Sequence, residues 1–254
     1  MKVTFLGTGT SQGVPLIACP CKVCHSPDPL NKRLRTSIQI DIDGKVLVFD
    51  SGPDFRQQML RNNTLQLDAL IFTHEHKDHI AGMDDIRAFN YIHGKAVDVY
   101  ATLQVQEALR REFQYIFSDF KYPGIPELKF VTIDSEKAFE AAGIPIIPIQ
   151  VLHYRLPVLG FRINDFTYIT DANFIDDKNL EKIKGSTHLV LNALRHEKHI
   201  SHFTLAEAIA VAERTGVPNV YFTHISHQLG LHDEVSKTLP KGMQLAHDGL
   251  VLEL

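Results

Sequence analysis

Residues 73–79 read Thr-His-Glu-His-Lys-Asp-His, which brings His74, His76, Asp78 and His79 together directly after the apolar run Leu70-Ile71-Phe72. Neutral imidazole nitrogen is the commonest protein ligand for transition metals, and carboxylate is a good companion to it. A strand end and the loop after it can aim alternate side chains at one point. His74 and His76 can then share one cation while Asp78 and His79 turn toward a second. The plain alternative is a solvated loop that happens to be rich in histidine. A second cluster, Cys19-Pro20-Cys21-Lys22-Val23-Cys24, uses all three cysteines of the chain. C-x-C-x-x-C places three thiolates within one turn of loop, the geometry of a tetrahedral zinc knuckle that lacks its fourth ligand. Three is an odd number and nothing suggests export, so a disulfide is disfavoured. Nucleophilic sites need one activated cysteine rather than three neighbours, which leaves redox or free thiols as the other readings.

The H-x-H-x-D-H run resembles the signature of the metallo-β-lactamase fold superfamily. That resemblance implies further ligands downstream, each at a strand end. His153 follows the run Ile144–Leu152, Asp171 closes Phe166–Thr170, and His224 closes Asn219–Thr223. Alone, each would read as a surface histidine or a helix-capping aspartate. A narrower likeness is to the phosphoribosyl cyclic phosphodiesterases of phosphonate breakdown, the PhnP type. It rests on Gly7-Thr8-Gly9-Thr10-Ser11-Gln12-Gly13-Val14-Pro15, the cysteine knuckle, the His74–His79 motif, Thr223-His224-Ile225-Ser226-His227-Gln228 and Asp248-Gly249. These stretches span nearly the whole chain. In that family the three cysteines and the second histidine of T-H-I-S-H hold a structural zinc, which implies a closed site of Cys19, Cys21, Cys24 and His227. The segment from Ala88 to Gln150 carries none of the family's motifs. It reads as longer, with an extra helix and the loop 121–126, so the substrate is what this difference leaves open.

The resemblance implies that His74, His76 and His153 hold a first divalent cation and that Asp78, His79 and His224 hold a second, with Asp171 bridging. Manganese and zinc both suit such ligands. Two cations about 3.5–4 Å apart lower the pKa of a bridging water and clamp a phosphoryl group, so in-line attack of that hydroxide on phosphorus is the expected chemistry. His202, just before Thr204, matches the family's proposed acid, which would protonate the leaving oxygen. Asp50, after Lys45–Phe49, is a candidate to orient a ligand histidine or the attacking water. With Asp78 these make the expected catalytic set. His25, His93, His188, His196, His199, His232 and His247 are left without a role, most of them expected at the surface. The function expected is hydrolysis of a small or cyclic phosphodiester. The alternatives are a ribonuclease of the tRNA 3′-processing type, a lactonase or thioesterase, and, least favoured, a metal-stabilised binding module. The tRNA enzymes carry a protruding arm, and no Gly/Lys-rich insertion here would serve as one.

The elements must bring residues from 74 to 224 to one place, which argues for one domain over 1–254. Net charge is −4, from 26 basic and 30 acidic residues. No global field therefore draws extended nucleic acid or an anionic membrane. No run has the length of a signal peptide or a membrane span, so a cytoplasmic protein is expected, with a homodimer left open. Lys2–Thr8 alternates like a strand, and Thr36–Asp50 reads as a hairpin turning at Asp43-Gly44. Helices are expected at Asp54–Arg61, Ile80–Asn90 and Gln104–Phe117. Leu67–Thr73 is a strand, and Thr204-x-x-Glu207 is a capping box opening a helix that ends at Gly216. Strands followed by strand–helix alternation, twice, give an αββα sandwich of two mixed sheets flanked by helices. Gly7-x-Gly9-x-x-x-Gly13 misses the dinucleotide spacing by one and is followed by Pro15, so a tight turn near the metal site is expected instead.

Overall fold

The computed structural model describes residues 1–119 and 122–254, and Lys121 of the expected loop lies outside the described residues. Two seven-stranded sheets carry the site. Across the first run Val251–Glu253 (β14), Lys2–Gly7 (β1), Ser37–Ile42 (β2), Lys45–Phe49 (β3), Ala69–Ile71 (β4), Val97–Ala101 (β5) and Leu128–Thr132 (β6). Across the second run Met243–Leu245 (β13), Asn219–Thr223 (β12), His188–Asn192 (β11), Phe166–Tyr168 (β10), Leu156–Ile163 (β9), Ile144–His153 (β8) and Phe139–Ala141 (β7). Both are mixed. β1 to β3 pair antiparallel and β3 to β6 parallel. β8 to β10 pair antiparallel, and β10 to β13 parallel.

The strand pattern explains the layers. In β3, Leu47 and Phe49 join the layer between the sheets, while Val48 packs on the opposite face. A strand covered on both faces must be apolar throughout, which is why these segments lack a clean polar alternation. Between the sheets the Phe49 ring lies 5.4 Å from Phe161 and 5.9 Å from Tyr168, and Phe5 lies 6.0 Å from Tyr221. Outside the first sheet pack Phe55–Arg61 (α1), Lys77–Ile80 (α2), Arg87–His93 (α3), Leu103–Glu112 (α4) and Gln114–Phe117 (α5), through Phe55, Ile80, Phe89, Leu109 and Ile116. Outside the second pack Asp177–Ile183 (α6), Leu205–Thr215 (α7) and His232–Ser236 (α8), through Leu180, Ala208 and Val235. This is the expected αββα sandwich. No described helix is long and apolar enough to cross a membrane.

The hairpin pairs Ile42 with Lys45 across Asp43-Gly44, and both bonds of the Thr204/Glu207 capping box form. Two expected helices differ. The one expected over 80–90 is broken into α2, a 3₁₀ turn at Met83–Ile86, and α3. At the break a Cβ on Gly82 would fall 2.1 Å from the Gly52 carbonyl oxygen, and the Gly82 amide donates to Ser51 at 2.8 Å. That close backbone crossing, which the sequence does not display, stops the helix. The helix expected over 104–117 divides at Phe113, whose φ and ψ of −119° and 45° leave the helical region. The glycine loop after β1 is a close approach too, since a Cβ on Gly7 would lie 1.9 Å from the Arg35 carbonyl oxygen.

Candidate metal centre

Five strand ends converge. Asp50 follows β3, the His74–His79 motif follows β4, His153 ends β8, and Asp171 and His224 follow β10 and β12. The C-terminal ends of parallel strands are where open α/β sheets place their ligands. At three of these ends the chain turns through the left-handed region, with φ of 64° at Asp50, 57° at Asp171 and 56° at His224. Each such residue costs about 1–3 kcal/mol, and the turn throws its side chain back over the sheet edge.

The ligand atoms gather as two adjacent sets. Those of His74, His76 and His153 lie within 4.8 Å of one another, and so do those of Asp78, His79, Asp171 and His224. Asp171 also groups with His153 and His202, so its carboxylate reaches both sides, as a bridge must. Its Oδ2 is 3.2 Å from His79 Nε2 and 3.2 Å from His224 Nδ1. Both of those nitrogens are buried and without a hydrogen bond. Buried polar atoms are nearly always paired, and two that converge with carboxylates on one point are suited to a cation.

The surroundings fix which nitrogen faces the centre. Asp50 is fully buried and accepts from the Thr73 amide and hydroxyl at 2.9 Å each, and from His79 Nδ1 at 2.7 Å. With its proton given to Asp50, the Thr73 hydroxyl accepts from His74 Nδ1 at 2.9 Å. His153 Nδ1 donates to the Ser201 carbonyl at 2.9 Å. In their neutral forms all three rings therefore carry their proton on Nδ1 and present Nε2 to a ligand. Burial pushes His79 down, but Asp78, Asp171 and Asp50 outweigh it and hold the ring well above the usual histidine range. Burial likewise raises Asp171, yet His224 and His79 bring it well below the carboxylate range. Asp78 is lowered against its own burial, chiefly by His79. His74 is lowered by burial and by His79.

His202 belongs to the same pocket. Its ring lies 4.6 Å from that of His153 and 4.8 Å from that of His224, with Nδ1 3.7 Å from Asp171 Oδ1. Burial, then His224, pushes it down to about 3. Every sequence-nominated residue of the dinuclear set thus comes together, with Asp50 and His202 beside it. Sequence reasoning missed Thr73, and it missed Thr10, whose hydroxyl is 3.3 Å from His224 Nε2. A threonine in a turn carries no signal of that kind. It left seven histidines without a role, most of them expected at the surface. Of these, His232 is buried, with Nδ1 3.1 Å from Nη2 of the buried Arg33, while His188, His199 and His247 are half-buried and the other three exposed. The segment from 88 to 150 borders the motif. Gln104 of α4 donates to Glu75 at 2.6 Å, and Glu112 pairs with Lys77.

The cysteines form a separate cluster. The Sγ atoms of Cys19 and Cys21 lie 3.5 Å and 3.3 Å from His227 Nδ1, and Cys24 completes a group within 4.8 Å. All three are free thiols. The Cys24 amide lowers Cys21 to about 6, whereas burial raises Cys24 to about 11. Three sulfurs and one imidazole nitrogen at these separations fit a closed tetrahedral zinc site.

A family model described as a beta-lactamase superfamily domain matches residues 45–225. The crystal structure of a diphosphatase from the PhnP family is similar with a TM-score of 0.93 and 41% identity, over 100% of this chain and 97% of that one. An octanoyltransferase of Porphyromonas gingivalis is 38% identical over 252 residues, 98% of this chain and 51% of that protein. A ribonuclease Z of Acaryochloris marina is 28% identical over 169 residues, 65% of this chain and 48% of that protein. The chain thus spans about half the length of these two curated relatives.

Proposed function

From the chain's place in the metallo-β-lactamase superfamily, whose members are metal-dependent hydrolases, and in its PhnP group, we propose that it hydrolyses a small or cyclic phosphodiester. The observation that carries this reading is the Asp171 carboxylate standing within reach of two adjacent ligand sets. His74, His76 and His153 would hold one divalent cation, and Asp78, His79 and His224 a second, with manganese and zinc both suited to the ligands. Such a pair supplies Lewis acidity toward a phosphoryl oxygen and a water acidic enough to act near neutral pH. Cys19, Cys21, Cys24 and His227 would hold a structural zinc.

The chain's own residues supply the rest. Asp50 and Thr73 lock His79 and His74 with Nε2 facing inward. His202 donates a proton to the leaving oxygen. Its lowered pKa, about 3, opposes a charged ring at rest, so the role requires the negative charge of a phosphate beside Nδ1 to raise it. The ribonuclease Z likeness supports P–O cleavage of the same kind. The octanoyltransferase likeness covers only 51% of that protein, so that protein's activity is not carried over to this chain.

The test is a substrate panel with manganese and zinc compared. It holds phosphodiesters, diphosphate esters, thioesters, a lactone and a β-lactam, each run against Asp171→Ala. Turnover on a phosphodiester that disappears in the variant supports the reading. A lactone or thioester turned over faster than every phosphodiester would reverse it.

A further inference from the structure

One buried side chain outside the ligand sets joins the Asp171 turn to His202. The parallel pairing of β10 with β11 runs to Tyr168 and Val190, and the Ile169 amide still donates to the Val190 carbonyl at 2.9 Å. At Asp171 the backbone turns through the left-handed region and leaves β11. It pairs again at Asn173, whose amide donates to the Leu152 carbonyl of β8 at 2.8 Å. Ala172 stands between those two pairings and is fully buried, so its own amide and carbonyl need partners.

Asn192, the last residue of β11 and itself fully buried, supplies them. Its Oδ1 accepts from the Ala172 amide at 2.7 Å, and its Nδ2 donates to the Ala172 carbonyl at 2.9 Å. The side-chain amide thus takes the place of a neighbouring strand. The same carbonyl accepts from the Phe203 amide at 2.8 Å, and the Phe203 carbonyl accepts from the Leu194 amide at 3.0 Å. Ala172 follows Asp171, and Phe203 follows His202. One shared carbonyl therefore holds the backbone just beyond each of these two residues. His202 Nδ1 stands 3.7 Å from Asp171 Oδ1 across that junction. The Thr170 hydroxyl, which donates to Asp171 Oδ2 at 2.7 Å, fixes the carboxylate rotamer but not this backbone.

We propose that Asn192 is a positioning residue of the hydrolytic site. Its side-chain amide fixes the Ala172 peptide, and through it sets Asp171 as the bridge and His202 as the proton donor. The inference rests on the dinuclear phosphodiester reading above and adds the residue that keeps those two groups in register. An amide is required, because Ala172 needs an acceptor and a donor together. Aspartate keeps the acceptor alone, and leucine offers neither.

The test uses the manganese-loaded full chain and two variants, Asn192→Leu, which removes both bonds, and Asn192→Asp, which keeps the shape. Electron paramagnetic resonance reads the bridge, since two manganese ions sharing a carboxylate give an exchange-coupled spectrum. Turnover of adenosine 2′,3′-cyclic phosphate, whose leaving group is an alkoxide, and of bis(4-nitrophenyl) phosphate reads His202. In Asn192→Leu the coupled spectrum should give way to that of separate ions. Turnover of the cyclic ester should fall about 10- to 100-fold, through kcat rather than KM, and that of the nitrophenyl ester less. Asn192→Asp should lose less on both readings, and it carries the test alone where the leucine variant does not fold. A lowered Tm with the coupled spectrum and the ratio between the two esters unchanged overturns the proposal, because Asn192 would then only pack. If the wild type turns over neither ester, the phosphodiester reading fails and the His202 half of the proposal with it, whereas the spectra alone decide the Asp171 half.

Discussion

Asp50→Asn isolates the buried carboxylate without changing its shape, and asparagine tolerates the left-handed backbone there, at φ 64°. The amide oxygen can still accept from the Thr73 N–H, now at 2.9 Å. The amide nitrogen then replaces Oδ2, which lies 2.7 Å from His79 Nδ1. Two N–H donors cannot share that contact, so His79 must give up its Nδ1 proton and carry it on Nε2. That is the atom facing Asp78 and Asp171 at 3.2 Å, where a cation needs a lone pair. The loss is one charge-assisted hydrogen bond, about 1.5–3 kcal/mol, or roughly 10–100-fold in affinity. Substitutions behind ligand histidines typically cost that much. Competition against a chromogenic chelator on metal-stripped protein should show one of the two active-site cations weakened by that factor, with phosphodiester turnover falling at limiting metal. Unchanged affinity for both cations, with unchanged turnover, would refute the reasoning and return Asp50 to a strand-end residue with no part in the site.

Three further expectations follow from the same geometry. Cys21→Ser should release one tightly held zinc and lower Tm by roughly 10 °C, since a structural zinc contributes folding energy directly; equal zinc content and Tm would exclude the Cys3His site. His202→Ala should slow an alkyl or ribosyl phosphodiester about 10²–10⁴-fold and a nitrophenyl ester far less, because only the basic alkoxide needs a proton; equal losses would make His202 a phosphate-positioning residue. His232 is held down to about 4 by burial and then by Arg33, so the unfolded chain binds its proton first as pH falls. Its stabilisation is present above about pH 6.5 and lost on falling through about 4. Denaturant unfolding of His232→Gln should therefore show a shallower fall in stability across that window than the wild type, and parallel curves would count against the assignment.

What could be read from the sequence, and what could not, follows from the range of the forces involved. The H-x-H-x-D-H motif was legible because strand ending and ligand spacing are both local, and the helix from Leu205 because its capping box is written in four adjacent residues. The broken helix near Gly82 was not, since its cause is the Gly52 carbonyl, thirty positions away in the chain. His232 was not singled out for a related reason. A histidine reads as polar, and only the fold reveals that Arg33, itself buried, needs its imidazole as an acceptor. Thr73 was written next to the motif, yet its role depends on Asp50 arriving from the neighbouring strand β3.

The left-handed turns at Asp50, Asp171 and His224 complete the physical account of the site. Seven candidate ligand atoms would have to be held within a few ångströms before any cation arrives, and loops alone would let them drift apart. Asp50 and His224 instead follow directly on a strand, and Asp171 follows one after two intervening residues, each strand being paired on both sides. The turn points the side chain at the centre, and the strand prevents it from relaxing. Three such turns cost about 3–9 kcal/mol together, which exceeds what a few hydrogen bonds return. The layer between the sheets, with Phe49, Phe161, Phe166 and Tyr168 fully buried behind these strand ends, is what offsets that strain. Aspartate and histidine are also among the few side chains that tolerate the left-handed region. The residue types demanded by the backbone at these ends are therefore the same as those demanded by a metal, which is why one motif can satisfy both.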